Sequence, residues 1–470
     1  MKNILKLNLV LLVFVFWGCN DYLEPKTQDK IIPTRVSHLQ ELLLGEVMIE
    51  ESDPIAYLPY MTDDVMHAQT KETKTDYSIA DWGYYTWQKD PEIQKDNGIL
   101  EDNAWSTYYH KIFTCNIILD KVQEVDGTES EKQTLLAETY FMRANYYFML
   151  VNLYGETYDV STISTALGIP INESTTIYDI IYQRESVENV YKKINSDLDL
   201  SIKNFALAKP SYSNVHPNLS VAYLLKARVS LYIKDYAKVL EYSDKALAAN
   251  VNSLVNLNDY NADYFLNITN TEVIFCYGTS KVKFSFPRST SNIYSLSDNL
   301  LSTFEDGKDL RLYHLKYTRM NYYDKLDEYH MFGKTFRLAE VYYDKAEALV
   351  YNSANGWKDA LELLNKTVIP TRYKSGEDYK LIATSKDEAL EVIRADRRKE
   401  FCMEYQRWFD LRRYGMPKLI HEYGINGQES TYILEEGSSS YTLNVPRNIL
   451  SKNTKIQQID RKEQTNSQND

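Results

Sequence analysis

The chain has 470 residues, 44% of them hydrophobic, and a formal net charge of -13. Such acidity excludes general nucleic-acid binding, which needs a basic face for phosphates, and generic adhesion to anionic lipid. Four cysteines are too few and too scattered for a disulfide framework, and the absence of a long Gly/Ser- or Pro-rich linker points to one large domain.

The N-terminus reads as a secretory signal, with Lys2 and Lys6 ahead of an apolar run from Leu9 to Trp17 that is too short to span a bilayer. Gly18 before Cys19 suits a lipoprotein signal peptidase, although Phe16 stands where Leu is usual. Residues 1–18 are therefore expected to be a signal peptide, and Cys19 the lipid-bearing first residue of a mature chain spanning 19–470. No later apolar stretch approaches the ~20 residues of a transmembrane helix. Cys115, Cys276 and Cys402 lie among apolar or aromatic neighbours and are expected to be buried free thiols.

The first unusual segment is DYSIADWGYYTWQKD, residues 76–90, where Trp82, Tyr84, Tyr85 and Trp87 follow neither a helical nor an alternating period. Rings at that density in a loop are either packed or used for binding. Helical signals begin at WSTYYHKIFTCNIILDKV from Trp105, and continue in residues 135–155, where Ala137, Phe141, Ala144, Phe148 and Val151 alternate steps of four and three. The clearest helix pair is residues 222–247. Ala222, Leu225, Val229 and Tyr232 form one face, a turn falls at Lys234-Asp235, and Tyr236, Leu240 and Leu247 form the second. This pair resembles a tetratricopeptide unit, and small Ala222, Ala227 and Ala246 allow close approach.

NLNDYNADY, residues 256–264, has oxygen ligands but lacks the glycine of an EF-hand loop, so it reads as a polar loop. TEVIFCYGTSKVKFSF, residues 271–286, has the β-branched and aromatic content of a strand or two. The polar, aromatic stretch that follows, to about residue 329, supplies a second set of ligand-facing candidates: Arg288, Asn292, Tyr294, Tyr322 and Tyr323. A further helix pair lies at 338–366, with Ala339, Tyr342, Ala346 and Leu349 facing Trp357, Ala360 and Leu364. In residues 394–415 a helical stripe is predicted through Arg397, Phe401, Glu404 and Trp408. Its mixture of Glu400, Glu404 and Asp410 with Arg397, Arg398, Arg407 and Arg412 reads as a structural ion network, because arginines lower carboxylate pKa values whereas a general acid needs the opposite shift.

Catalytic signatures are missing: no GxSxG, HExxH, phosphate-cradling glycine loop or CxxC occurs, and the seven His residues have no ligand spacing. No cofactor or metal is expected. Against that, 40 Tyr residues suit capture of uncharged sugars, whose C–H faces stack on flat rings while polar neighbours bond the hydroxyls.

Taken in order, CNDYLEPKTQDKI, WSTYYHKIFTCNIILD, AETYFMRANYYFMLVNLYG, RLAEVYYDKAEAL, RADRRKEFCMEYQRWFDLRRYG and LNVPRNILSKNTKIQQID resemble the SusD/RagB family of surface lipoproteins of the Bacteroidetes, from one end of the chain to the other. The resemblance implies a mainly α fold: tetratricopeptide-like helix pairs form a curved slab, with large loop-rich insertions and a few short strands. The framework is expected to include about 104–155, 217–250 and 335–415, and the ligand-facing insertions about 54–100 and 251–334. It also implies a surface-exposed outer-membrane protein without enzymatic activity that captures a glycan and passes it to a SusC-like TonB-dependent transporter, the helical repeats meeting that partner. A peptide ligand on the same architecture, a surface glycosidase with paired carboxylates, and a purely structural scaffold are the alternatives.

Overall fold

The computed structural model describes residues 33–67, 80–176, 182–260, 265–266, 268–278, 294–315, 334–424 and 429–462. Cys19 and the signal segment lie outside the described residues, as do Arg288, Asn292, Tyr322 and Tyr323.

The longer helices are α1 (Ala104–Lys121), α2 (Glu129–Tyr154), α3 (Val187–Ala208), α4 (Leu219–Tyr232), α5 (Tyr236–Ala249), α6 (Leu338–Asn352), α7 (Gly356–Lys366) and α8 (Lys386–Glu400). Most start where a short polar side chain accepts from an otherwise orphaned N–H. Thr128 and Glu131 form a reciprocal capping box on α2, and Ser186, Asn218, Asp235 and Ser385 cap α3, α4, α5 and α8. Each such cap stabilises its helix by about 1 kcal/mol. Between α4 and α5 the backbone turns through a left-handed Lys234, with φ of 61°.

The helices pack in chain order: α1 on α2, α2 on α3, α3 on α4, α4 on α5, α5 on α6 and α6 on α7, with α8 closing on α6 and α7. Fully buried Ala222, Ala227 and Ala246 bring α4 and α5 close enough for the Ser220 hydroxyl to donate to the Ala246 carbonyl across 3.0 Å. Ala339, Ala346, Ala360 and Leu364 do the same work in a second, smaller core between α6 and α7. Helix α3 adds a framework element beyond the pairs read from sequence. Its buried Val187, Val190, Tyr191, Ile194 and Leu198 recur at steps of three and four behind a Ser186 cap, a pattern as regular as that of α4.

Short antiparallel ribbons complete the described residues. β1 (Val65–His67) pairs with β3 (Tyr294–Leu296), β2 (Val273–Tyr277) with β4 (Lys334–Arg337), and β5 (Leu419–Tyr423) with β6 (Ser430–Leu434). β2 is the strand expected within residues 271–286, and every one of its residues is buried.

The Arg-rich C-terminal segment departs from the single helical stripe predicted for it. Helix α8 stops at Glu400, the chain turns through left-handed Met403 and Tyr405, and a short helix Arg407–Arg413 follows. The break lets neighbouring charges reach partners on different sides. The Glu404 carboxylate meets Arg337 at 2.9 Å, the Tyr405 hydroxyl donates to Asp53, and Arg407 forks onto Asp63 at 2.8 and 2.7 Å. Deeper in, Arg337 and Arg372 each bridge Glu272 and Glu400 at 2.6–2.9 Å, all four side chains being buried. Burial alone would raise the Glu400 carboxyl, but Arg372, Arg337 and Arg311 outweigh it and hold the group well below the usual carboxylate range. The segment is thus the structural ion network read from its composition.

Cys115, Cys276 and Cys402 are buried free thiols, and desolvation pushes the first two up to about 12. Among the described residues no helix is long and apolar enough to cross a membrane, and no group of three His, Cys, Asp or Glu could hold a metal ion.

Candidate functional site

Three short elements bring a set of aromatic rings together beside the ribbons β1·β3 and β5·β6. The first is the turn of 3-10 helix Leu58–Met61, where Pro59 sets the backbone and Leu58, Pro59 and Met61 point inward, leaving Tyr60 half-buried. The Thr62 hydroxyl closes the turn by donating 2.8 Å to the Pro59 carbonyl. Asp63 and Asp64 then lock onto Arg407 and Arg398, which fixes the direction in which β1 leaves. In the ribbon His67 lies directly opposite Tyr294, and the two rings meet edge-on at 5.6 Å.

The second element is the short helix Trp82–Tyr85, drawn from the ring-rich segment singled out in the sequence. It packs against the chain at Pro91 and Ile93 so closely that a Cβ on Gly83 would lie 2.4 and 2.7 Å from their carbonyl oxygens. The third element is the β5·β6 hairpin, whose inner face carries Leu419, His421 and Tyr423 opposite Leu434, Tyr432 and Ser430. His421 is sandwiched between Tyr85 at 4.2 Å and Trp87 at 4.1 Å, and burial lowers its pKa to about 4.

Of the four rings read as either packed or used for binding, three are core residues. Tyr84, Tyr85 and Trp87 are 0%, 1% and 0% exposed. The Trp87 indole donates to the Met61 carbonyl at 2.9 Å, while the Tyr85 hydroxyl accepts from the His67 N–H and donates to the Glu422 carbonyl, tying β1 to β5. Tyr84 stacks on Tyr57 at 4.1 Å. Folding the segment as a helix, not a loop, turned these rings inward. Trp82 alone of the four keeps exposure, half-buried with its ring edge-on to Tyr432 at 6.4 Å. Tyr294, from the later insert, is also buried and packs between Tyr60 at 4.8 Å and Tyr85 at 5.0 Å.

The arrangement brings together Tyr60, His67, Tyr294 and Tyr423, with the Lys95 ammonium 4.2 Å over the Tyr423 ring, and Trp82 joins at its edge through Tyr432. Asp81 precedes the short helix, yet its carboxylate does not cap it. Instead its charge is felt at the Tyr60 and Tyr294 phenols, which burial and then Asp81 push upward. Burial raises Asp81 itself to about 7. His67 is drawn down to about 4, by burial first and Lys95 second, against an opposing pull from Glu429. Three polar atoms of this cluster are buried without a hydrogen-bond partner: Trp82 Nε1, Tyr294 Oη and His67 Nδ1. Leaving such a group unpaired costs about 1–3 kcal/mol.

Tyr60, His67, Asp81 and Tyr423 were not found by sequence reasoning. An alternating LIHEY over 419–423, with rings on one side, was the available signal for the hairpin. Elsewhere, an open groove of about 840 Å³ lies along α3 and is lined by Tyr158, Ile163, Glu188, Tyr191, Lys192 and Asp199. Glu188 is paired with Lys192 at 2.6 Å and Asp199 with Lys226, and Lys203 also lines the groove.

Comparison with known proteins adds independent findings. A family model described as starch-binding and associating with the outer membrane matches residues 21–231, and the SusD family model matches residues 285–469. SusD-like protein P38 of Formosa agariphila is 23% identical over 380 residues, covering 65% of this chain and 71% of that one. A SusD superfamily protein from Bacteroides fragilis superposes with a TM-score of 0.71 at 21% identity, covering 90% and 99% of the two chains. A laminarin-binding SusD-like protein superposes with a TM-score of 0.57 at 17% identity, covering 90% and 96%.

Proposed function

The chain belongs to the SusD/RagB family, and on that premise we propose that it is a surface lipoprotein of the outer membrane that captures glycans and delivers them to a SusC-like TonB-dependent transporter. The observation that carries the binding half of this reading is the ring cluster with its unpartnered polar atoms. Half-buried Tyr60 and Trp82 offer flat faces to the C–H side of a sugar ring. Around them stand a donor-only indole N–H, a phenol that both donates and accepts, an imidazole nitrogen, and the Asp81 carboxylate, which accepts when ionised. Sugar hydroxyls are both donors and acceptors, so one ring can satisfy several of these groups at once. Each buried group so paired recovers the cost of leaving it bare. The laminarin-binding relative lends weight to a glycan over a peptide.

Capture without turnover accords with the buried ion network, at whose centre Glu400 is held ionised by arginines and is unsuited to proton donation. Anchorage is assigned to acyl chains on Cys19, each buried methylene adding about 0.8 kcal/mol of membrane affinity. The helical framework α1–α8 is assigned the face toward the transporter, leaving the ring cluster for the ligand.

The experiment is calorimetric titration of the chain from Asn20 onward with separate panels of oligosaccharides and short peptides, watching for heat and for product. Saturable glycan binding without product is the expected result. Peptide binding would replace the ligand class, and product release would replace the function.

A further inference from the structure

Asp81 gives the ring cluster a chemical preference that goes beyond glycan capture in general. Its carboxylate is half-buried, does not cap the helix it precedes, and makes no ion pair with any described cation. The groups facing it from the adjoining elements are Tyr60 of the 3-10 turn, Trp82 and Tyr85 of the short helix, and Tyr294 of β3. Beyond Tyr294 the β1 strand presents His67, which is neutral at neutral pH. On the hairpin side Glu429 acts on His67 as a second negative charge, and Glu422 lies on the outer face of β5. Of the described cations, Lys95 sits on the far ring, over Tyr423, and Arg398 and Arg407 are already paired with Asp64 and Asp63. With Asp81 ionised, the field where a sugar would rest on half-buried Tyr60 and Trp82 is therefore negative, inside a chain of net charge -13.

We infer that this site selects uncharged sugar rings and refuses glycans that would bring a carboxylate or sulfate onto the half-buried Tyr60 and Trp82 rings, with Asp81 as the excluding group. A hydroxyl donates to Asp81 and is welcomed, whereas an anionic substituent meets a like charge in surroundings too poorly solvated to screen it. The inference rests on the glycan reading of the same site and deepens it by naming the ligand class.

The test uses the chain from Asn20 onward with neutral glucan, mannan and galactan oligosaccharides, each paired with its C6-oxidised uronate form, so that only charge differs within a pair. Affinities are measured at pH 8 and pH 5.5 for the wild type and for Asp81→Asn. The expected result at pH 8 is that the uronate form binds at least about tenfold more weakly than its neutral partner, from one like-charge contact at short range. That gap should narrow at pH 5.5, where Asp81 takes up a proton while the uronate stays ionised, and it should be small at both pH values in Asp81→Asn. Equal binding of both forms, or preference for the uronate, overturns the selectivity while glycan capture stands. Binding of neither form overturns the glycan reading and the inference with it. A charge gap that persists unchanged in Asp81→Asn assigns the exclusion to another group and overturns the role of Asp81.

Discussion

Two regions of this molecule are rich in buried polar groups and treat them in opposite ways. Around Glu400, Arg337 and Arg372 bridge the buried carboxylates, and Glu272 receives both arginines. Around Trp82, among the described residues, the indole, the Tyr294 hydroxyl and a His67 nitrogen are buried without a partner, and Asp81 pairs with no described cation. Both regions are assembled from distant parts of the chain, so neither is a local accident. The contrast is one of degree: paired charges hold helices in register around Glu400, while unpaired atoms, which also occur at Asp344, Glu347 and Trp408, leave hydrogen-bonding capacity in the ring cluster.

Breaking the first region should have the largest effect on folding. Arg372→Ala leaves Glu272 and Glu400 short of a partner in the core, and a loss of about 3–5 kcal/mol is expected in denaturant unfolding. An unfolding midpoint unchanged from wild type would show that the network is incidental to stability.

The two regions should also part company with pH. Asp102, packed behind the ring cluster with the Tyr57 and Tyr154 hydroxyls donating to it, is raised by burial to about 7. A carboxyl raised in the folded state favours folding while protonated, so its contribution is full below pH ~4 and is lost as pH rises to about 7, roughly 4 kcal/mol in all. Asp396 in the ion network behaves oppositely. Burial would raise it, but Arg311 and Lys399 bring it down to about 2, so its contribution of roughly 2 kcal/mol is present above pH ~4 and lost below. Asp102→Asn should flatten the loss between pH 4 and 7 without touching the acid side. Unfolding curves across pH for both proteins check this, and identical slopes in Asp102→Asn and wild type would contradict it.

Smaller effects follow. Tyr85→Phe removes a hydroxyl that joins β1 to β5, with about 1 kcal/mol lost in thermal unfolding. On the surface, Lys245→Ala breaks an exposed pair with Glu241 and should change stability by less than about 0.5 kcal/mol.

How much of this was legible in the sequence divides along the same line. Helices α1, α2 and α4–α7 announced themselves because burial against a neighbour imposes a period that composition records directly. The end of α8 at Glu400 was not visible, since Arg397, Phe401, Glu404 and Trp408 keep helical spacing through a break that serves partners far away in the chain. In the ring-rich segment Trp82 alone keeps exposure, and the other three rings are core. Its companions Tyr60 and Tyr294 are joined only by the pairing of β1 with β3 across more than two hundred residues, and no local pattern encodes such a meeting. Helical architecture is periodic and can be read; a cluster gathered by long-range pairing is not.

The most direct test of the account is the glycan affinity of the Tyr60→Ala/Trp82→Ala double variant beside the wild type, with thermal unfolding measured on both. Both rings are half-buried, so the variant should fold with a melting temperature close to wild type while its affinity falls by at least about tenfold, some 1.4 kcal/mol. A folded double variant that binds glycan as tightly as the wild type would contradict the assignment of the ring cluster as the binding site.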